Sequence, residues 1–96
     1  MTIDRLTRND FTQLPAGALV IRLKEGDIPL TVTGVRDLPA SSPRNAPFAV
    51  ALAGPRDPLL PQGIYPMIHP EHGQLDLFVV PMARDQANSH YELVFN

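Results

Sequence analysis

Hydrophobic and polar positions along this chain fall into six short apolar runs, each ended by a turn signal. The clearest closes the sequence. Over residues 89–96, Tyr91, Leu93 and Phe95 point one way while His90, Glu92 and Asn96 point the other, the period of two that marks a half-buried strand. Upstream, the runs 64–69 and 74–81 flank His69-Pro70-Glu71-His72-Gly73. Proline fixes φ there and glycine supplies a positive φ, so the spacing predicts a tight hairpin. Residues 82–88 are polar and read as a loop.

The first half repeats the pattern. In 18–25, Leu19, Ile21 and Leu23 alternate with Val20, Arg22 and Lys24, and Glu25-Gly26-Asp27 forms a turn. In 28–37, Ile28, Leu30 and Val32 share one face while Thr31, Thr33 and Val35 share the other, which completes an antiparallel pair. The proline-punctuated stretch 38–45 is a loop. A third strand, 47–53, sets Phe48, Val50 and Leu52 against a row of Ala49, Ala51 and Ala53, small enough for a neighbouring element to approach closely. Gly54-Pro55-Arg56-Asp57-Pro58 breaks it, and 59–63 leads into the hairpin.

One helix is expected. Thr7 and Asp10 have capping-box spacing, and Leu6 and Phe11 that of a hydrophobic staple, which predicts a helix over 8–13 ended by Pro15. It is too short to stand alone, so Leu6, Phe11 and Leu14 must cover an end or edge of a sheet. Short connections favour antiparallel pairing, because parallel crossovers need helices that are absent. The expected fold is all-β: a small antiparallel, partly closed barrel of about six strands with one short N-terminal helix, in a single domain over 1–96. A two-layer sandwich is the alternative, disfavoured because six short strands give it a meagre core.

Composition narrows the chemistry. Ninety-six residues, 44% hydrophobic and 19% charged, make one globular domain. Eleven prolines and six glycines argue against long helices, and the absence of cysteine excludes disulfides and thiolate sites. Net charge is −2; Arg22, Lys24, Arg36, Arg44 and Arg56 are scattered rather than patched, which argues against nucleic acid. The opening MTIDRLTRNDF lacks the apolar core of a signal peptide, and no run reaches membrane-spanning length. The expectation is a cytoplasmic protein without a membrane partner, export by a signal-less route being left open.

His69 and His72, with Glu71 or His90, invite a metal reading, but three-residue spacing on a hairpin does not force convergence and His90 lies on another strand. Asp57, Glu71, Asp76 and Glu92 show no spacing that pairs two carboxylates in one pocket. Phosphate loop, nucleophile elbow and cysteine nucleophile are all missing. No enzymatic activity, metal or cofactor is therefore expected. Glu92 has cross-strand candidates in Arg22, Arg36 and Arg84, a pairing that would set register more than stability.

One face does not balance. Tyr65 and Met67 alternate with Ile64 and Ile68, and Leu75, Leu77 and Val79 alternate with Phe78 and Val80, so the hairpin is apolar on both sides. A strand with one solvent face should be polar at alternate positions. Either the helix or Leu59-Leu60 covers the second face, or Ile64, Ile68, Phe78 and Val80 form a partner-binding surface. Ile64 and Ile68 are the better candidates if the helix covers Phe78.

Several stretches together resemble a known family: Leu6-Thr7-x-x-Asp10-Phe11, Ala46-Pro47-Phe48, Gly54-Pro55-x-Asp57-Pro58-Leu59-Leu60-Pro61-Gln62-Gly63-x-Tyr65, His69-Pro70-Glu71-x-Gly73, Leu77-Phe78-x-Val80-Pro81 and Tyr91-Glu92-x-Val94-Phe95-Asn96. They are similar, end to end, to a bacterial family of roughly hundred-residue domains of unknown function. The resemblance implies no activity. It does imply a genomic setting beside proteins like phage-tail collars or fibre tips, hence an assembly partner. His72 departs from the family pattern, so a His69/His72 metal pair is not implied.

These readings converge on a structural or assembly module that binds a protein partner, or itself, through an apolar strand face or an open sheet edge. The alternative is a small ligand-binding or hydrolytic domain with a polar pocket near His69 and His90. The pattern itself makes one prediction. Deleting residues 89–96 removes Tyr91, Leu93 and Phe95 together, and the shortened chain is expected to show no cooperative thermal unfolding by circular dichroism.

Overall fold

The computed structural model of the protein describes residues 6–39 and 47–95; most of the expected 38–45 loop, with Arg44, and Asn96 lie outside them. A four-residue helix, α1 (Asn9–Thr12), precedes six strands: β1 (Leu19–Leu23), β2 (Gly26–Asp37), β3 (Phe48–Pro55), β4 (Gly63–His69), β5 (Gly73–Arg84) and β6 (Asn88–Phe95). All pairings are antiparallel, and the strands close into a barrel in the order β1-β2-β3-β6-β5-β4.

Closure depends on the two long strands. The first half of β2 pairs with β1, from Leu23↔Gly26 to Leu19↔Leu30, and the second half pairs with β3, from Thr31↔Ala53 to Asp37↔Phe48. β5 does the same, pairing with β4 from His69↔Gly73 to Gly63↔Val79 and with β6 from Val80↔Glu92 to Arg84↔Ser89. Two sheets thus share two bent strands. The barrel and sandwich readings meet in this geometry: two facing sheets become one closed surface at the corners.

Each long strand carries a bulge. Register shifts between Val32 and Gly34 in β2, and between Pro81 and Ala83 in β5. An extra residue bends a strand and reverses the inward and outward sense beyond it. Val32 and Val35 therefore both pack against the core, although simple alternation puts Val35 on the opposite face with Thr31 and Thr33. In β5 the bulge lets pairing continue to Arg84, so residues 82–84 of the expected 82–88 loop are strand. The polar residues that follow, Arg84 to Gln86, concealed this.

The interior is filled from every strand, by Leu19 and Ile21, Leu30, Val50 and Leu52, Met67, Leu77 and Val79, and Tyr91 and Leu93, all buried. At the β2–β3 corner the chains pass closely: a Cβ on Gly54 would stand 2.6 Å from Leu30 Cδ2, so any larger residue would force the buried Leu30 side chain to move. The barrel seam is short, with β1 meeting β4 at Val20↔Ile68 and Ile21↔Met67.

α1 is shorter than the 8–13 expected, and half of its capping box forms. Asp10 Oδ2 accepts the Thr7 N–H at 2.7 Å, but the Asp10 N–H goes to the Thr7 carbonyl at 3.0 Å. The staple residues Leu6 and Phe11 are both buried. Phe11 plugs one end of the barrel, its ring centroid 5.5 Å from that of Phe95 and 6.0 Å from that of Phe48. The Tyr91 hydroxyl fastens the 55–63 connection by accepting the Leu60 N–H at 3.0 Å and donating to the Pro58 carbonyl at 3.3 Å. Tyr91→Phe leaves the buried Leu60 amide without its acceptor and is expected to cost about 1–3 kcal/mol in urea unfolding, with an unchanged m-value.

Candidate functional site

Beyond the Val80↔Glu92 pair, β5 continues along β4 while β6 continues along β3 to Phe48↔Phe95. The two strands part there, and a cleft of about 230 Å³ opens between them. Ile64, Phe78 and Val94 line it with Asp76 and Leu93. Ile64 sits directly opposite Phe78 across the β4–β5 ladder. These are large apolar side chains with substantial exposure: 70% for Ile64, 50% for Phe78 and 43% for Val94. In an antiparallel strand, alternate backbone groups point to each side. The side of Asp76–Phe78 that faces away from β4 therefore opens on the cleft.

The four residues singled out by alternation are not one cluster. Ile64 and Phe78 share the cleft, and Val80 is the next outward residue along β5, half-buried opposite Glu92. Ile68 stands apart, half-buried at the barrel seam beside Val20. α1 leaves Phe78 open because it packs over β2 and the β4–β5 turn, and Leu60 turns inward over the barrel instead. Ile64 with Phe78 is therefore the exposed pair, in place of Ile64 with Ile68. Val94 was missed; strict alternation against Leu93 and Phe95 would have found it.

Glu92 takes Arg36 from the candidates, with Nη2 donating to Oε2 at 2.9 Å across β3. Asp76 accepts from Gln74 Nε2 at 3.4 Å and has no cationic partner among the described residues. Asp57 is held by Arg56 at 3.2 Å and Arg84 at 3.1 Å. It lines a second cleft, of about 540 Å³, whose wall includes Leu23, Ile28, Pro58 and Leu60. Asp27, also at that cleft, pairs with Arg22 at 3.7 Å. Asp57, Glu71, Asp76 and Glu92 are thus dispersed, with no two in one of these clefts.

The histidines divide between the two ends of the barrel. His69, 1% exposed, ends β4 opposite Gly73, whose φ of 72° closes the turn. The Asp10 carbonyl can only accept, so His69 Nε2–H donates to it at 2.7 Å. Nδ1 must then accept, and it receives the N–H groups of Glu71 at 3.0 Å and His72 at 3.4 Å. His72 Nε2 lies 2.8 Å from Asp10 Oδ1. Burial pushes the Asp10 carboxyl up, but the hydrogen bonds from His72 and Thr7 and the charges of His72 and His69 outweigh it, leaving it below its usual value.

His90 projects near the far end of β5, opposite Ala83, and its Nε2 meets Asp85 Oδ2 at 2.7 Å. Nearly the whole of β5 separates it from His69, so the two share no pocket. No group of three or more potential metal ligands occurs among the described residues. Asp85 is a tight local acceptor. Its Oδ1 takes the N–H groups of Ala87 at 2.8 Å and Asn88 at 2.7 Å. The His90 hydrogen bond, followed by these two amides, draws its carboxyl down to about 2. The Tyr65 hydroxyl donates to the Pro61 carbonyl at 2.6 Å, and burial with the nearby Tyr91 pushes it up.

The chain belongs to DUF6916, a domain of unknown function whose sequence pattern matches residues 6–95. No curated protein and no solved structure matches it. Membership fixes the family and brings no activity with it.

The Asp85 turn yields a titration test. A carboxyl depressed in the folded state adds stability above its unfolded value and loses it as pH falls toward the folded one. Carbon-detected NMR is expected to show Asp85 titrating at about 2. His90→Ala should move it up toward the ordinary aspartate range.

Proposed function

We propose that the protein is a non-enzymatic binding module that recruits a partner protein at the cleft between β5 and β6. One observation carries this reading: Ile64, Phe78 and Val94 stand exposed together on three successive strands, beside a backbone edge that no strand pairs among the described residues. Exposed apolar area is unfavourable in water unless something covers it. Because the barrel is closed, a whole free edge strand is not offered. Augmentation is confined to the corner where β5 leaves β6.

The occupant we infer is an extended segment of another chain. Its main chain adds to the Asp76–Phe78 edge, and an apolar side chain rests between Phe78 and Val94. A lysine or arginine on that segment suits Asp76, which has no cationic partner among the described residues. The family resemblance favours a tail-collar-like protein encoded nearby as its source. A polar pocket joining His69 and His90 is the weaker reading, because both His69 nitrogens are engaged by backbone groups and His90 is at the other end.

Light scattering on the chain alone, and mixed with a tail-collar-like protein of the kind the resemblance implies as its neighbour, tests this. A complex is expected, weakened about tenfold or more by Ile64→Glu or Phe78→Glu. Both variants should keep their stability within about 0.5–1 kcal/mol, since the sites are exposed. Self-association broken by the same variants would keep the surface but replace the partner with a second copy. A monomer in both samples would sink the proposal.

A further inference from the structure

α1 has too few residues to hold itself together, yet it places the fully buried Phe11 in the end of the barrel. What fastens it is a chain of contacts centred on His69. The ring donates from Nε2 to the Asp10 carbonyl at 2.7 Å and accepts at Nδ1 from the amides of Glu71 and His72. It also stands edge-on to the Phe11 ring, 5.5 Å between centroids and 88° between planes. One neutral imidazole thereby ties the helix to the β4–β5 turn.

That arrangement has room for one tautomer and no extra proton. A proton on Nδ1 would face two N–H donors, at 3.0 and 3.4 Å, where a lone pair is needed. Among the described residues, His69 meets the Asp10 carbonyl of α1 and the backbone amides of Glu71 and His72; the ionisable groups beside it are the His72 ring and the Asp10 carboxylate. Arg8, at the start of α1, is turned to Asp37 of β2 at 3.5 Å. His72 Nε2 lies 2.8 Å from the Asp10 carboxylate, a contact that adds the turn to the clasp. The two imidazole centroids are 4.7 Å apart, so charge on both rings would be repulsive.

We propose that His69 is a proton-operated latch: neutral, it locks α1 and Phe11 into the barrel end, and its protonation releases both while the barrel stays folded. Release uncovers the side of Phe95 and Phe48 against which Phe11 packs. This rests on the α1–turn contacts alone and is independent of the docking reading.

NMR on the full chain between about pH 7.5 and 5 tests it, reading His69 ring nitrogens alongside Phe11 cross-peaks to Phe95 and His69. At the upper pH, His69 should show the Nε2–H tautomer with those cross-peaks present. Their loss should track the appearance of a proton on His69 Nδ1, while the Phe48–Phe95 cross-peaks persist. Asp10→Asn removes the carboxylate that His72 faces and should leave this response in place. His69→Gln, if it folds, should abolish it. Phe11 cross-peaks that survive protonation of His69, that disappear only with the whole barrel, or that lose their pH response in Asp10→Asn would each overturn the latch.

Discussion

Everything in this molecule depends on β2 and β5 each serving two sheets. Six strands of this length cannot bury much as two flat layers. When two of them bend, at Thr33 and at Met82, both layers share a boundary and the interior is enclosed on all sides. The bulges are therefore structural devices. They turn a twelve-residue strand through a corner and reset which side chains face inward, which is how Val32 and Val35 come to serve the same core.

The two corners are not equivalent, and the difference places the candidate site. Where β2 leaves β3, Gly54 lets the chains stay in contact, with Leu30 filling the space a side chain would take. Where β5 leaves β6, Leu77 and Leu93 seal the interior while Ile64, Phe78 and Val94 remain outside, and the gap stays open as a cleft. A closed barrel suppresses edge-to-edge association along its circumference. Confining an exposed edge to one apolar corner would keep the proposed recruitment local.

The barrel ends are handled differently again. One is closed by the connection that Tyr91 fastens, the other by the Phe11 plug. The plug is held by hydrogen bonds that include an imidazole ring, whereas the Tyr91 end is held by a phenol hydroxyl. Polar groups at the plug come from α1 and, 59 residues on from Asp10, from the end of β4 and the turn after it. That separation is why spacing gave no sign of an Asp10–His72–His69 cluster, while the nearer pair His69 and His72 suggested a metal site instead.

Alternation alone determined a great deal here. Period-two runs located all six strands, Leu6 and Phe11 announced a staple, and short turns dictated antiparallel pairing. Each of these follows from contacts only a few residues apart, which a sequence displays directly. The doubled apolar faces of 64–81 also marked the right hairpin as unusual. Tertiary structure decided the rest: where β2 and β5 bend, that β5 extends through 82–84, and that Val94 rather than Ile68 joins Ile64 and Phe78. Side-chain direction beyond a bulge depends on one unpaired residue, and whether an apolar face is covered depends on where distant strands part. Both are properties of the closed barrel and of no single stretch within it.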